Sequence, residues 1–405
     1  MKKYLLVLFF ISTSILFSQV KTGIEVLRDN DFKELKGKKV GLITNPTGVD
    51  SKLKSTVDIL YQAKDVKLVA LYGPEHGVRG DFEAGDKVEN MIDEKTQVPV
   101  FSLYGATHKP TKEMLMEVDV LVYDIQDIGC RSYTYISTMG ACMEAAAENN
   151  IEFVVLDRPN PINGLKIEGN LAEDGYLSFV SAFKIPYVYG LTCGELAKML
   201  NEEGMLKGKC KLTVIPMEGW ERDMKFEDTK LPWVPTSPHV PQALTSYYYV
   251  TTGIMGELGV LSEGVGYTIP FQVYGAEYLD GDVVAQRMNA LGIEGVYFRP
   301  ITYKPFYGKY EKKSMHGVQI HLVDYDKVNL MSLQYLFMQI HHELFPDKDI
   351  FKMSENRWGM FDKVNGTSKI REIFSKNYKY DDIKDYLNKD VESFRKLSKK
   401  YYLYD

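Results

Sequence analysis

The segment at residues 73–80, GPEHGVRG, places an acid and an imidazole side by side between glycines and a proline. Proline and glycine fix the course of such a loop, so Glu75 and His76 are presented together. A carboxyl group that is partly removed from water keeps its proton to a higher pH and can serve as a general acid. The segment therefore predicts acid catalysis by Glu75, and the alternative is a turn in which Glu75 forms a salt bridge with Arg79.

Two acids and an arginine occur together at residues 123–133, YDIQDIGCRSY. Asp124 and Asp127 are three residues apart, and Arg131 precedes Ser132, which is predicted to be a helix N-cap. An arginine beside a helix N-terminus suits a carboxylate or phosphate ligand. The cluster predicts a binding or catalytic site, and the alternative is an internal Asp–Arg network that holds the loop.

Polar residues also follow an apolar run at residues 157–164, DRPNPING. Asp157, Arg158 and Asn160 offer donors and acceptors that suit sugar hydroxyls, although Asn and Asp are common in turns as well. A fourth candidate is Glu263, which lies between small residues and could supply a second carboxylate. Its glycine neighbours could equally mark a tight loop.

The spacing of the apolar runs predicts the scaffold that carries these clusters. Short, continuously apolar runs are typical of strands buried on both faces of a parallel sheet, and helical windows such as 50–62 and 133–148 separate them. This alternation predicts an α/β fold with a Rossmann-like parallel sheet, whose functional loops meet at the carboxyl ends of the strands. The predicted strands are 39–44, 66–72, 98–104, 118–123, 151–156 and 211–215.

A proline-rich stretch at residues 231–241 ends this alternation, because proline interrupts helices and central strands. The predicted boundary separates a Rossmann-like catalytic domain at 21–235 from a smaller α+β auxiliary domain at 236–405. We expect the acids and arginines to gather in one hollow that faces the second domain. The elements predicted in that domain are strands at 296–300 and 317–323, a helix at 330–344 and a charged helical tail.

Residues 1–20 have the layout of a secretory signal peptide, in which two lysines precede a short apolar run. We therefore expect an exported protein, periplasmic or secreted, and no later stretch is apolar enough to predict a membrane span. The net charge of −6, with both signs interspersed, argues against nucleic acid as a partner. The four cysteines lack a metal-binding spacing and are predicted to be buried thiols, with a Cys130–Cys142 bridge as the alternative.

Four segments, three of them within the clusters above and a fourth at residues 190–196, occur in the order expected for the NamZ-type exo-β-N-acetylmuramidases and resemble them. This family was long catalogued only as a domain of unknown function. The resemblance covers nearly the whole mature chain. It implies a Rossmann-like domain with an auxiliary domain, release of N-acetylmuramic acid from the non-reducing end of peptidoglycan fragments, and no nucleotide cofactor. The chain departs from the family at Val265, where many members have arginine, and at residues 237–241. The resembling segments are 73–80, 123–131 (YDIQDIGCR), 157–161 (DRPNP) and 190–196 (GLTCGEL).

Glycoside hydrolysis needs an acid for the leaving oxygen and a second group that supplies or activates the nucleophile. Glu75 is the predicted acid, because its loop is similar to the family's catalytic motif. The second group is Asp124, Asp127 or Glu263, or else an acetamido group of the substrate that Tyr133 orients. The residues predicted to bind the substrate, including an arginine clamp for its lactyl carboxylate, are His76, Arg79, Gln126, Arg131, Tyr133, Asp157, Arg158 and Asn160.

Two other functions stay open. An exported sugar-binding protein would also present a cleft, but it should have two similar lobes, whereas this chain has one α/β run and then a different pattern. A metal-dependent hydrolase could use Glu75, His76, Asp124 and Asp127 as ligands, although no pair has a diagnostic spacing. Signatures for dinucleotides, nucleotide phosphates and serine or zinc hydrolases are absent from the sequence. The expected partners are peptidoglycan-derived disaccharides or muropeptides, without a cofactor or metal.

Overall fold

The computed structural model describes residues 19–80, 91–105 and 107–405, and its largest element is a seven-stranded sheet. Its strands are β1 (Lys39–Thr44), β2 (Lys67–Gly73), β3 (Met91–Ile92), β4 (Pro99–Ser102), β5 (Val120–Asp124), β6 (Glu152–Leu156) and β7 (Lys211–Ile215). The spatial order is β3-β4-β2-β1-β5-β6-β7, and all neighbours are parallel except β3 and β4. The six predicted strands and the α/β fold class are confirmed. Strand β3 was not predicted, because it consists of two exposed residues and so has no run of apolar residues.

Helices cover both faces of this sheet, which explains why its strands are continuously apolar. They are α1 (Gly23–Asp29), α2 (Thr56–Gln62), α3 (Tyr135–Asn149) and α4 (Cys193–Glu202). One core lies between the sheet and α1 and α2, and another lies between the sheet and α3 and α4. The prediction of Ser132 as an N-cap is wrong, since α3 is preceded by Thr134 and the Ser132 hydroxyl contacts the hydroxyls of Tyr187 and Tyr249.

The C-terminal part contains a three-stranded antiparallel sheet in the order β8-β10-β9, made of β8 (Val273–Ala276), β9 (Val296–Tyr303) and β10 (Met315–Leu322). Helices α5 and α7 share one hydrophobic core with this sheet. The helices are α5 (Thr245–Gly256), α6 (Gly281–Ala290), α7 (Leu330–Leu344), α8 (Ile350–Met353), α9 (Trp358–Asn365), α10 (Lys369–Asn377), α11 (Asp381–Asn388) and α12 (Val391–Ser398). Helix α7 has the predicted bounds, and the predicted helical tail is present.

The end of the chain returns to the first sheet. The Tyr404 hydroxyl donates to Asp157 Oδ2 over 2.6 Å, and the backbone N–H of Leu403 donates to Glu195 Oε1 over 2.9 Å. The guanidinium of Arg222 lies 3.3 Å from the ring centre of Tyr402. The last residues therefore pack with β6 and α4, although they belong to the C-terminal part in sequence.

All four cysteines are buried free thiols, as predicted, and Cys130 and Cys142 are not bridged. The predicted signal peptide lies outside the described residues, apart from its last two positions. None of the helices in the described residues is long and apolar enough to cross a membrane.

Candidate active site

The loops that follow the central strands pack directly on each other at the carboxyl end of the sheet. A Cβ added at Gly80 would lie 2.6 Å from Pro46 Cγ, so the loop after β2 contacts the loop after β1. The backbone N–H of Gln126 donates to Thr47 Oγ1 over 2.8 Å, which joins the loop after β5 to the same neighbour. The parallel sheet thus brings these loops together, as sheets of this type do for ligand sites.

Glu75 is half-buried in the loop after β2, and a tyrosine holds its carboxylate. The hydroxyl of Tyr104, which follows β4, hydrogen-bonds Glu75, and burial together with the Glu75 charge raises the pKa of Tyr104 to about 12. The Glu75 charge also acts on Tyr135 at the start of α3. The next residue, His76, has φ of +73°, a left-handed conformation that costs a non-glycine residue about 1 kcal/mol or more. Such strain is concentrated at functional sites, which is consistent with the predicted role of this loop.

Asp127 is a buried carboxyl group without a cationic partner among the described residues. Its Oδ2 accepts hydrogen bonds from the Tyr189 hydroxyl and from the Gly129 backbone N–H, the latter over 2.7 Å. Its Oδ1 is buried and has no hydrogen-bond partner within the described part of the chain. Burial raises the pKa of Asp127 to about 7. A carboxyl group that changes protonation near neutral pH is suited to proton transfer.

Asp124, in contrast, is part of an internal ion pair. Arg158 Nε and Nη2 donate to its two oxygens over 2.5 and 3.0 Å, and Thr56 Oγ1 donates to Oδ2 over 2.5 Å. Arg158 also donates to the Val49 carbonyl over 2.8 Å. This is the Asp–Arg network that the sequence left open, with Arg158 rather than Arg131 as the partner. The geometry does not fit Asp124 as a catalytic carboxylate or Arg158 as a substrate clamp.

Arg131 is completely buried and donates to three backbone carbonyls. They belong to Asn170, Ile185 and Val364, at distances of 2.8, 2.5 and 3.0 Å. Burial lowers the pKa of Arg131 to about 10. The side chain joins the first domain to α9, and this position does not fit the predicted contact with a substrate carboxylate.

Arg79 points towards β3 and pairs with Asp93 through two hydrogen bonds of 2.9 and 3.1 Å. The alternative of a Glu75–Arg79 salt bridge is therefore wrong. Because Arg131 and Arg158 are also bonded inside the protein, the arginine clamp predicted for the lactyl carboxylate has no support in this geometry.

The other predicted binding residues mostly hold the loops. Gln126 Nε2 donates to the Pro159 carbonyl over 2.7 Å, and Asn160 Nδ2 donates to the Leu191 carbonyl over 2.9 Å. Asp157 accepts from Thr192 Oγ1 over 2.7 Å and from the Gly194 backbone N–H over 2.8 Å, and burial raises its pKa to about 6. Their positions agree with the turn and loop roles that the sequence left open.

Tyr133 and Glu263 lie on the two sides of the predicted domain boundary. The half-buried Tyr133 donates to Thr236 Oγ1 over 2.8 Å. Burial and the Asp127 charge raise the pKa of Tyr133. Glu263 is half-buried, and burial, together with the charge of Glu257, raises its pKa to about 7. Its charge acts on Tyr303 and Tyr310 of the second domain. The described contacts therefore group Glu263 with C-terminal tyrosines, and the expected hollow of acids and arginines is replaced by a largely tyrosine-lined region around Glu75 and Asp127.

Two family models match this chain almost end to end. The N-terminal model of the exo-β-N-acetylmuramidase NamZ covers residues 40–244, and the C-terminal model covers residues 247–404. The chain belongs to the NamZ family. Both models bear out the resemblance that was inferred from the four segments, and the family is one of glycosidases.

Similar proteins match this chain over nearly its full length. The chain is 45% identical over 386 residues, 95% of its own length and 92% of the relative's, to the peptidoglycan β-N-acetylmuramidase NamZ of Bacillus subtilis strain 168. A crystal structure of a DUF1343 family protein from Bacteroides fragilis has 57% identity and a TM-score of 0.93, covering 96% of this chain and 99% of that one. A second such protein from the same organism has 31% identity and a TM-score of 0.78, with the same coverage.

In this NamZ family member, the tyrosines that contact the acids or feel their charge were not predicted from the sequence. Tyr104, Tyr135 and Tyr189 were assigned no role, although Tyr104 ends a predicted strand and thus lies where ligands bind. His239 was also missed as a site residue. Burial and the nearby His76 lower the pKa of His239. The proline-rich segment therefore lies near the Glu75 loop.

The two alternative functions find less support in the NamZ fold. One large sheet and one small antiparallel sheet are not the two similar lobes of a binding protein. Among the described residues, no group of three or more His, Cys, Asp and Glu side chains is arranged to hold a metal ion. Of the four ligands considered for a metal, Asp124 is already bonded to Arg158.

Proposed function

We propose that this chain is an exported exo-acting glycosidase that releases N-acetylmuramic acid from the non-reducing end of peptidoglycan fragments, with Glu75 as the general acid. The observation that carries the proposal is the half-buried Glu75 carboxylate, held by the Tyr104 hydroxyl in a strained loop of a NamZ family chain. The relative named for peptidoglycan supports the substrate class. The signal-like layout of residues 1–20 supports export.

Each acid has a distinct part in this mechanism. Glu75 protonates the glycosidic oxygen as the bond to the leaving sugar breaks, and Tyr104 fixes the direction of the Glu75 carboxyl group. Asp127 is the second acid, because its Oδ1 is free of hydrogen bonds among the described residues and its pKa is about 7. The nucleophile that attacks the anomeric carbon is either a water molecule, whose proton Asp127 accepts, or the acetamido oxygen of the substrate, whose N–H group Asp127 orients until water opens the ring that forms. Tyr189 keeps the Asp127 carboxyl group in place.

The direct test is Glu75→Gln, which keeps the shape of the side chain and removes the acid. We expect the rate of N-acetylmuramic acid release from the disaccharide N-acetylmuramyl-N-acetylglucosamine to fall by about 10²- to 10⁴-fold. Glu202→Gln is the matched control, since Glu202 is exposed on α4 and pairs with Lys209. Hydrolysis by Glu75→Gln at a rate close to that of the unaltered protein would overturn the role of Glu75.

Exo action and export have separate readouts. Digestion of a glycan chain that begins with N-acetylmuramic acid at its non-reducing end and is labelled at its reducing end should release that one N-acetylmuramic acid unit and leave a labelled product one sugar shorter, and internal cuts would contradict exo action. N-terminal sequencing of protein recovered from outside the cytoplasm should begin near residue 20. An intact Met1 there would contradict the signal peptide.

A further inference from the structure

The loop at residues 304–312 holds two aromatic rings on the surface of the second domain. Phe306 is 65% exposed and Tyr307 is 49% exposed, which is unusual for side chains of this size. The backbone N–H of Phe306 donates to the Gly266 carbonyl over 2.7 Å, and the Tyr267 ring lies on the Phe306 ring with centroids 5.7 Å apart. The Phe306 ring is therefore held on one side by Tyr267, while most of its surface is exposed.

A short series of contacts connects these rings to the Glu75 region. Tyr307 shares a 2.8 Å hydrogen bond with His239 Nε2, and the two rings are nearly parallel at 5.9 Å. The His76 charge acts on His239, and the Thr236 carbonyl accepts a hydrogen bond from Tyr135. Three residues of extended chain span at most about 11 Å, so Thr236 and His239 cannot be farther apart than this. The exposed rings are thus connected to Tyr135, which feels the Glu75 charge, through His239 and the short segment that contains Thr236.

We propose that Tyr307 and Phe306 form the subsite for the sugar on the reducing side of the bond that is cleaved. This inference rests on the proposed function, which makes that sugar N-acetylglucosamine. One face of a pyranose carries C–H groups with positive partial charge, and these pack on the negative face of an aromatic ring. The Tyr307 hydroxyl and His239 supply polar edges beside the apolar face, and a sugar ring needs both.

The size of the exposed surface favours a sugar over a protein partner. An aromatic side chain buries at most about 250 Å² on contact, so two rings provide at most roughly 500 Å². A specific protein–protein interface needs about 1,200 Å² or more in total. Two rings on consecutive residues offer faces for one or two sugar units, and an exo-acting enzyme must also bind the part of the glycan that it leaves behind.

The test compares a substrate that has this sugar with one that lacks it. The first is N-acetylmuramyl-N-acetylglucosamine and the second is methyl β-N-acetylmuraminide, whose small leaving group has no ring to stack. For Phe306→Ala/Tyr307→Ala we expect kcat/KM to fall about tenfold on the disaccharide, mainly through KM, and to change less than twofold on the methyl glycoside. Tyr307→Phe keeps the ring and removes the hydroxyl that bonds to His239, so kcat/KM on the disaccharide should fall less than in the double variant and should change less than twofold on the methyl glycoside. Tyr297→Ala is the matched control, because Tyr297 is an equally exposed aromatic residue on β9.

Equal losses on both substrates, or no loss on either, would overturn the subsite. Calorimetric titration of the disaccharide into Glu75→Gln provides a readout that does not depend on turnover. Adding Phe306→Ala/Tyr307→Ala to this background should weaken Kd about tenfold, and an unchanged Kd would overturn the inference. If the unaltered protein cleaves neither substrate, the proposed function fails, and the titration still decides whether the two rings bind the sugar.

Discussion

Asp124 and Asp127 lie three residues apart after the same strand, yet their surroundings are opposite. Asp124 has both oxygens occupied by the Arg158 guanidinium and the Thr56 hydroxyl. Asp127 has a tyrosine hydroxyl and one backbone N–H on Oδ2, and its Oδ1 accepts no hydrogen bond from the described residues. The Asp124 carboxylate, closed by a buried cation, stabilises a loop, whereas the Asp127 carboxyl group keeps one oxygen for other chemistry.

The same contrast separates the two sides of the site. At the ends of β5 and β6, the arginines predicted to bind substrate instead bond to Asp124 and to backbone carbonyls. Around the loop after β2, the half-buried acid has Tyr104 as its partner. For Asp124, Asp127 and Glu75, the partner of the acid, rather than its burial, therefore separates the structural carboxylate from the two candidate catalytic ones.

Asp124→Asn tests the structural side of this comparison and should have the largest effect. It leaves the Arg158 charge buried without a charged partner, so the free energy of unfolding should fall by about 3–5 kcal/mol. Urea denaturation followed by circular dichroism measures this. Glu343→Gln, which breaks the exposed pair with Arg287, is the control and should cost less than about 1 kcal/mol. A loss for Asp124→Asn no larger than for the control would refute the structural assignment.

Asp127→Asn tests the catalytic side. The substituted side chain has nearly the same shape but cannot exchange a proton, so kcat on the disaccharide should fall about 100-fold. The melting temperature should change much less than for Asp124→Asn, because no buried cation loses its partner. A variant that is strongly destabilised but fully active per folded molecule would reverse the comparison between the two acids.

The pH dependence of stability sharpens the same point. The folded-state pKa of Asp127 is about 7, above its ordinary value near 4, so the folded protein retains a proton that the unfolded chain releases in this range. The resulting stability is complete below about pH 4 and is lost as the pH rises towards 7, by at most about 1.4 kcal/mol per pH unit. Urea denaturation at pH 5, 6 and 7 should show a shallower decline for Asp127→Asn. Equal slopes for the variant and the unaltered protein would mean that Asp127 is ionised throughout.

Much of the scaffold was predictable, because local patterns determine it. The bounds of β1, β7 and α7 agree with the apolar runs, and the polar clusters occur at strand ends as parallel sheets require. The pairing of acids and arginines was not predictable, since it joins residues that are distant in sequence. Arg131 reaches the Val364 carbonyl, 233 positions away. Only the folded arrangement reveals that it is not available to a substrate.

The tyrosine partners were not predicted for a related reason, since a tyrosine at a strand end has the same sequence pattern whether its hydroxyl contacts an acid or a carbonyl. The Tyr72 hydroxyl donates to the Met114 carbonyl over 2.7 Å, whereas the Tyr104 hydroxyl contacts Glu75. The two residues belong to neighbouring strands or the loops that follow them. They therefore form a matched pair for separating a structural hydroxyl from a positioning one.

Tyr104→Phe should have the smallest effect and is the finest test of the comparison. It removes one hydrogen bond to the Glu75 carboxylate and leaves the ring, so kcat/KM should fall by about five- to tenfold, which corresponds to roughly 1 kcal/mol. Tyr72→Phe removes a hydroxyl of the same kind and should lower the melting temperature without changing kcat/KM. Both variants lose one oxygen atom, so the two hydroxyls are compared through the same chemical change, one with a carbonyl partner and the other with an acid. If Tyr104→Phe changes only stability, the Tyr104 hydroxyl does not position Glu75, and acid catalysis would depend on the conformation of the loop alone.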